Sequence, residues 1–172
     1  LESCCKLDYK DLAKEILSKY LNDFNNDQIK SCVENAYTNT FTNNEITPVV
    51  KVKNDYILEL FHGPTSAFKD VALQILPHLL TTSLKIQGSK EEIIILTATS
   101  GDTGKAALEG FKDVDGTRII VFYPAEGVSD IQKRQMITQE GNNVDVAAVI
   151  GNFDDAQSGV KKIFTDTDYS EM

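Results

Sequence analysis

The sequence predicts an α/β fold, in which a small open parallel sheet with flanking helices follows a segment of helices and a β-hairpin. Two observations support this prediction. Residues 90–165 alternate between short apolar, β-branched runs and amphipathic helical stretches, whereas the earlier residues show helical and then strand periodicity. Because repeated strand–helix–strand units need right-handed crossovers, the later strands should be parallel, with helices on the faces of their sheet.

Two amphipathic helices open the chain. Residues 8–21 have helical spacing, with Asp8 as an N-cap and an apolar stripe formed by Leu12, Ile16, Leu17, Tyr20 and Leu21. Residues 27–37 predict a second helix, whose inward face comprises Ile29, Cys32, Val33 and Ala36. Both patterns indicate packing against a core, and residues 38–47, rich in Asn and Thr, predict a loop.

A β-hairpin and a helix should follow this loop. Residues 49–61 alternate in polarity around two turn residues, Asn54 and Asp55. Residues 68–80 predict a helix that Pro77 kinks or shortens, because proline lacks the N–H that a helix interior needs.

The strictly alternating part of the chain predicts the parallel sheet. Its strands are expected at residues 93–97, 118–123 and 144–150, and its helices at residues 103–111, 129–139 and 153–165. The first strand is wholly apolar up to Thr97, as expected of a strand that is buried on both faces. We therefore expect two domains: residues 1–89, with the helices and hairpin, and residues 90–172, the small open α/β domain.

Composition narrows the range of partners. The 172 residues are 41% hydrophobic and 25% charged, as in a soluble globular protein, and the net charge of −9 argues against nucleic acid and anionic membranes as partners. No stretch approaches the roughly 20 apolar residues of a transmembrane helix. Three cysteines, two of them adjacent, favour a reducing, cytoplasmic location. The chain begins with Leu1 rather than Met, which suggests a piece of a longer protein.

One loop has the chemistry of an anion site. Ligands of open parallel sheets bind at the carboxyl ends of the strands, where helix N-termini present free N–H groups. The first such loop contains two glycines and several hydroxyls, in the order Thr99, Ser100, Gly101, Asp102, Thr103, Gly104. It could hold a carboxylate or phosphate, or it could simply turn the chain and cap the next helix. It matches neither a Walker loop nor a dinucleotide-binding motif.

Lys69 is the most suggestive single residue for chemistry. Its neighbours Phe68, Ala67, Val71, Ala72 and Leu73 all suit a core. A lysine among apolar groups is destabilised as the ammonium, and the neutral amine is a nucleophile toward aldehydes or a base. The alternative is a surface lysine whose stem lies along the helix. His62 and His78 lack partners at ligand spacing, so no metal site is predicted and each should be a structural or hydrogen-bonding residue.

Four sequence blocks resemble the threonine synthases, which are pyridoxal-phosphate (PLP) enzymes of the tryptophan-synthase-β-like fold, fold type II. Residues 60–74, Leu-Phe-His-Gly-Pro-Thr-Ser-Ala-Phe-Lys-Asp-Val-Ala-Leu-Gln, look like the family's cofactor-lysine segment. Residues 96–104 resemble the next block, and residues 123–136, with Gln132, Gln135 and Met136, resemble a third. Residues 151–157 resemble the fourth. The four blocks occur in the family's order within residues 49–165.

The resemblance implies a reaction and a set of site residues. Lys69 would carry the aldimine with pyridoxal 5'-phosphate and shuttle protons, with Phe68 and Asp102 also near the cofactor. Residues 99–104 would bind the carboxylate of O-phospho-L-homoserine, which the family converts with water to L-threonine and phosphate. Asp102 stands where many relatives in the fold carry Asn. A threonine dehydratase or phospholyase of the same fold, or a non-catalytic anion-binding module, is the alternative.

The resemblance also implies missing parts. The family has a segment ahead of Leu1 and a large portion beyond Met172, which carries the loop for the cofactor phosphate and the hydroxyl residue facing the pyridine nitrogen. We therefore expect an amino-terminal fragment that is inactive alone and binds the cofactor weakly.

Overall fold

The computed structural model describes residues 4–167, apart from the side chain of Cys5, so both chain ends lie outside the described residues. A short 3-10 helix spans Cys4–Lys6. The elements that follow are α1 (Tyr9–Leu17), α2 (Asn26–Tyr37), β1 (Val49–Val52), β2 (Asp55–Leu58), α3 (Asp70–Leu73), α4 (Leu76–Gln87), β3 (Ile93–Ala98), α5 (Asp102–Phe111), β4 (Thr117–Pro124), α6 (Asp130–Ile137), β5 (Val144–Val149) and α7 (Phe153–Thr165). The chain divides into two compact units, residues 1–90 and 91–172. Within the described residues, no helix is long and apolar enough to cross a membrane.

The core of the first unit forms around α2. A capping box between Asn25 and Gln28 fixes the start of this helix. Its inward face is buried as the sequence predicts, and the core cluster comprises Ile29, Val33, Ala36, Tyr37 and Ile46. Tyr9, Ala13, Leu17 and Leu21 pack against this cluster from α1 and the turn after it.

The stripe predicted for the first helix is partly wrong. Asp8 caps α1 as expected, by accepting a hydrogen bond from the Asp11 amide at 2.8 Å. The helix ends at Leu17, however, because the Lys19 and Tyr20 amides bond three residues back and tighten the chain into a turn. Tyr20, beyond this end, is 79% exposed, and Ile16, within α1, is 45% exposed, so neither joins the core.

The hairpin forms with a different turn from the one predicted. Val49 pairs with Leu58 and Val52 with Asp55, so the turn residues are Lys53 and Asn54. Lys53 adopts a φ of 54°, which supplies the left-handed backbone that a two-residue turn requires. Asp55 is therefore the first residue of the returning strand rather than part of the turn.

The helix predicted over residues 68–80 is two helices. The four-residue α3 ends at Leu73, and α4 begins at Leu76 with Pro77 in its first turn. A proline is tolerated there because the first amides of a helix have no partner within it. Pro77 thus starts a new helix instead of kinking one, and α4 continues to Gln87 before Gly88 ends it in the left-handed region.

The second unit is built on a three-stranded parallel sheet in the order β3-β4-β5, which confirms the predicted fold class. Its core includes Leu108, Phe111, Ile119, Val121 and Met136, all at most 1% exposed. The burial predicted for the first strand is wrong, since β3 lies at the sheet edge within the described residues and Ile94 is 54% exposed. An apolar, β-branched run predicts a strand, but it fixes neither the position of the strand in the sheet nor how far each side chain is buried.

Candidate functional site

Lys69 is the residue immediately before α3 in the first unit. Its side chain is half-buried, and Nζ lies 4.9 Å from the centroid of the Phe68 ring, which is 53% exposed. Of the five apolar neighbours expected to form a core, only Ala67 is buried, because the short α3 exposes the others partly or fully. Within residues 4–90, no ion pair involves Lys69. Among residues 4–90 the amine therefore has no carboxylate partner.

The turn before Lys69 is fixed by a buried carboxylate. Asp70 is 0% exposed, and its two oxygens accept hydrogen bonds from the Thr65 amide at 2.8 Å and the Thr65 hydroxyl at 2.6 Å. Gly63 passes so close that an added Cβ would lie 2.4 Å from Asp70 Oδ2. These contacts hold the Gly-Pro-Thr turn against the start of α3. They thereby fix the position of the Lys69 backbone, which lies between the turn and Asp70.

Two further contacts brace this segment from other parts of the first unit. The Tyr37 hydroxyl donates to the Val71 carbonyl at 2.7 Å, and burial raises the pKa of Tyr37, which keeps the hydroxyl protonated. The His62 ring lies 2.7 Å from Glu59 Oε2 and 3.2 Å from Thr42 Oγ1. His62 is therefore a hydrogen-bonding residue, as predicted, and among the described residues no group of side chains is arranged to hold a metal.

The loop after β3, in the second unit, is organised by Thr99. Thr99 is only 2% exposed. Its hydroxyl accepts hydrogen bonds from the Gly101 amide at 3.0 Å and the Gly104 amide at 2.9 Å. At the start of α5, Ser100 and Asp102 are exposed and Thr103 is half-buried. The loop thus brings together the six predicted substrate-binding residues, whereas Lys69 and Phe68 belong to the other unit.

The side chain of Asp102 is held by a residue that sequence reasoning gave no role. Gln132, at the start of α6, donates from Nε2 to Asp102 Oδ1 at 2.6 Å. Gln132 belongs to the third sequence block, but thirty residues separate it from Asp102 and no local pattern indicates the contact. Thr65 was missed in the same way, although it directly follows the Gly-Pro turn.

Gly104 provides a stability prediction for the loop. A Cβ there would lie 2.4 Å from Thr99 Cγ2 and 2.8 Å from Val121 Cγ1, so Gly104→Ala should lower the free energy of unfolding by about 1–3 kcal/mol. The matched control is Gly159→Ala in α7, where a Cβ meets nothing within 4 Å. This change should instead raise stability by about 0.5–1 kcal/mol. Urea unfolding followed by circular dichroism measures both, and equal effects would contradict the steric argument.

Comparison with known proteins identifies the family of this chain. No protein-family model matches it. Threonine synthase from Saccharomyces cerevisiae is 38% identical over 178 residues, which cover 96% of the chain and 34% of the yeast protein. The chain is a threonine synthase homologue. Threonine synthase from Pseudomonas aeruginosa is 50% identical to this homologue over 113 residues, covering 66% of the chain and 24% of the relative.

Solved structures agree with this assignment. The crystal structure of PLP-bound threonine synthase from Brucella melitensis superposes on the homologue with a TM-score of 0.86 at 38% identity. The match covers 96% of the chain and 36% of the Brucella chain. The homologue has the corresponding part of the threonine synthase fold, as predicted, and it spans about one third of the length of the yeast and Brucella proteins.

Proposed function

We propose that this chain supplies the cofactor-lysine part of a threonine synthase, which converts O-phospho-L-homoserine and water to L-threonine and phosphate. The observation that carries the proposal is the position of Lys69 at the end of a turn fixed by Asp70. Its amine is half-buried and has no carboxylate partner among residues 4–90. An aldehyde cofactor needs such an amine, because an ion-paired ammonium is not nucleophilic. The residues present therefore fit PLP.

PLP, when bound, would supply the capacity to stabilise negative charge on substrate carbons. Lys69 Nζ would be the point of covalent attachment and would carry protons to and from those carbons. The adjoining Phe68 ring would shield one side of the amine from water, as its position 4.9 Å from Nζ allows. The overall change breaks the bond between the γ carbon and the phosphate oxygen and one C–H bond of the β carbon. The hydroxyl of water goes to the β carbon. Of the two protons released, from water and from the β carbon, one goes to the γ carbon and the other leaves with phosphate.

The Thr99–Gly104 loop would bind the substrate carboxylate in the second unit. Thr99 fixes the backbone by accepting hydrogen bonds from the Gly101 and Gly104 amides. The two glycines allow Gln132 and Thr99 to pack closely against the start of α5. No side chain caps this ten-residue helix from Gly101. Its amino end carries a partial positive charge that favours an anion. Asp102 would lie beside the cofactor as well as in this loop. We further propose that the domain boundary lies near residue 90 and that the protein is cytoplasmic.

Turnover of phosphohomoserine tests the proposed function. The full-length protein, loaded with PLP, should release phosphate and threonine in equal amounts, whereas residues 1–172 alone should be inactive. Threonine offered as a substrate tests the dehydratase alternative, which predicts 2-oxobutyrate instead. Turnover by residues 1–172 at a rate near that of the full-length protein would contradict our account of the chain as one part of the site.

A further inference from the structure

A hydrogen-bonded chain of three side chains connects the starts of α5 and α6. The Ser129 hydroxyl, which caps α6, donates to Gln132 Oε1 at 2.9 Å, and Gln132 Nε2 donates to Asp102 Oδ1 at 2.6 Å. A carboxylate can only accept, so the NH₂ group of Gln132 must face Asp102 and its oxygen must face Ser129. The chemistry of its partners thus fixes the orientation of the Gln132 amide.

Gly101 makes room for this contact. Its φ of 151° lies in the region that favours glycine, and an added Cβ would lie 2.5 Å from Gln132 Cδ. The Gln132 amide therefore rests on the backbone immediately before α5. Two independent features therefore involve the Gln132 amide group. It fills the space that a side chain at residue 101 would need, and it makes a short hydrogen bond to Asp102.

The contact changes which groups are open at the start of α5. An aspartate side chain can accept hydrogen bonds from neighbouring backbone amides, and at the start of a helix this would occupy the amides that an anion needs. Within the described residues, the Asp102 carboxylate accepts from Gln132 and from no amide of α5. The hydrogen bond therefore ties Asp102 Oδ1 to α6 rather than to an amide of α5.

We propose that Gln132 is a positioning residue of the substrate loop, which holds Asp102 so that the amino end of α5 stays available to a carboxylate. This role rests on the proposed function. A contribution to stability alone explains the contact poorly, because Asp102 is exposed and Gln132 half-buried, and such surface contacts contribute little. Positioning within a site, in contrast, depends on fixing a side chain that would otherwise rotate.

Acetate is the probe for the first experiment, which needs no turnover. In residues 1–172, acetate should shift the NMR signals of the Asp102 and Thr103 amides. Gln132→Glu, which places a second carboxylate beside Asp102, should weaken acetate binding about tenfold, and Gln132→Met about threefold. Gln135→Met on the same helix is the control and should change nothing. Equal acetate affinity in the parent chain and Gln132→Glu would overturn the proposal.

A double variant that exchanges the donor and the acceptor should rescue acetate binding. In Gln132→Glu combined with Asp102→Asn, the asparagine NH₂ can donate to the glutamate, which restores the hydrogen bond with reversed polarity. Acetate affinity should then return to within about threefold of the parent value. If the double variant binds no better than Gln132→Glu alone, Gln132 does not act through Asp102 and the proposal fails.

Kinetics of the full-length protein separate this proposal from the proposed function. Gln132→Glu should raise the KM for phosphohomoserine about tenfold with a smaller change in kcat and an unchanged urea midpoint. An unchanged KM would overturn the positioning role while leaving the proposed function intact. Absence of phosphohomoserine turnover in the parent would contradict the proposed function, and the acetate measurements would then decide the role of Gln132 on their own.

Discussion

Replacing Lys69 with arginine should abolish covalent labelling by PLP and lower threonine formation by about 10³-fold or more. Arginine keeps the positive charge and can still lie over the Phe68 ring, so the fold around α3 should persist. It cannot supply a neutral amine, because the guanidinium stays protonated. The measurement is borohydride reduction of the PLP-loaded, full-length protein, followed by peptide mapping and a phosphate-release assay.

The hairpin offers a matched control for this substitution. Lys51 also lies over an aromatic ring, with Nζ 5.6 Å from the centroid of Tyr56, and it belongs to the same unit. Lys51→Arg should leave both labelling and turnover unchanged. A label on a lysine other than Lys69 in the parent protein, or turnover that survives Lys69→Arg, would remove the basis of the lyase assignment.

The features that the sequence predicts well are those that neighbouring residues determine. The parallel sheet follows from short apolar runs that alternate with amphipathic helices, and each predicted strand and helix of the second unit lies within two residues of its observed position. The loop after β3 is recognisable because its glycines and hydroxyls are contiguous. The loop is therefore a candidate carboxylate site on the sequence alone, and its binding role stays a prediction.

The features that sequence reasoning missed depend on residues distant in the chain. Gln132 and Asp102 meet only because parallel strands bring successive helix starts to the same edge of the sheet. The exposure of Phe68 could not be inferred from its apolar character, because it depends on where α3 ends and α4 begins. Local patterns indicate which residues can pack, whereas the packing itself is decided by the whole unit.

Asp70 should be the residue on which the stability of the lysine segment depends most. Asp70→Ala would leave the Thr65 amide and hydroxyl as buried donors that have lost their acceptors, at a cost of about 2–4 kcal/mol in the free energy of unfolding. Asp27→Ala is the matched control, because Asp27 also lies in the first turn of a helix but is exposed. It should cost no more than about 0.5 kcal/mol.

Asp70→Ala also tests whether the turn positions the amine of Lys69 for labelling. Since Asp70 directly follows Lys69 and anchors the turn before it, Asp70→Ala should slow labelling of Lys69 even at temperatures where circular dichroism shows a folded chain. Asp70→Asn should have a smaller effect on both measurements, because its amide oxygen can accept one of the two Thr65 hydrogen bonds. Full labelling in a folded Asp70→Ala protein would show that the buried carboxylate stabilises the turn without positioning the amine.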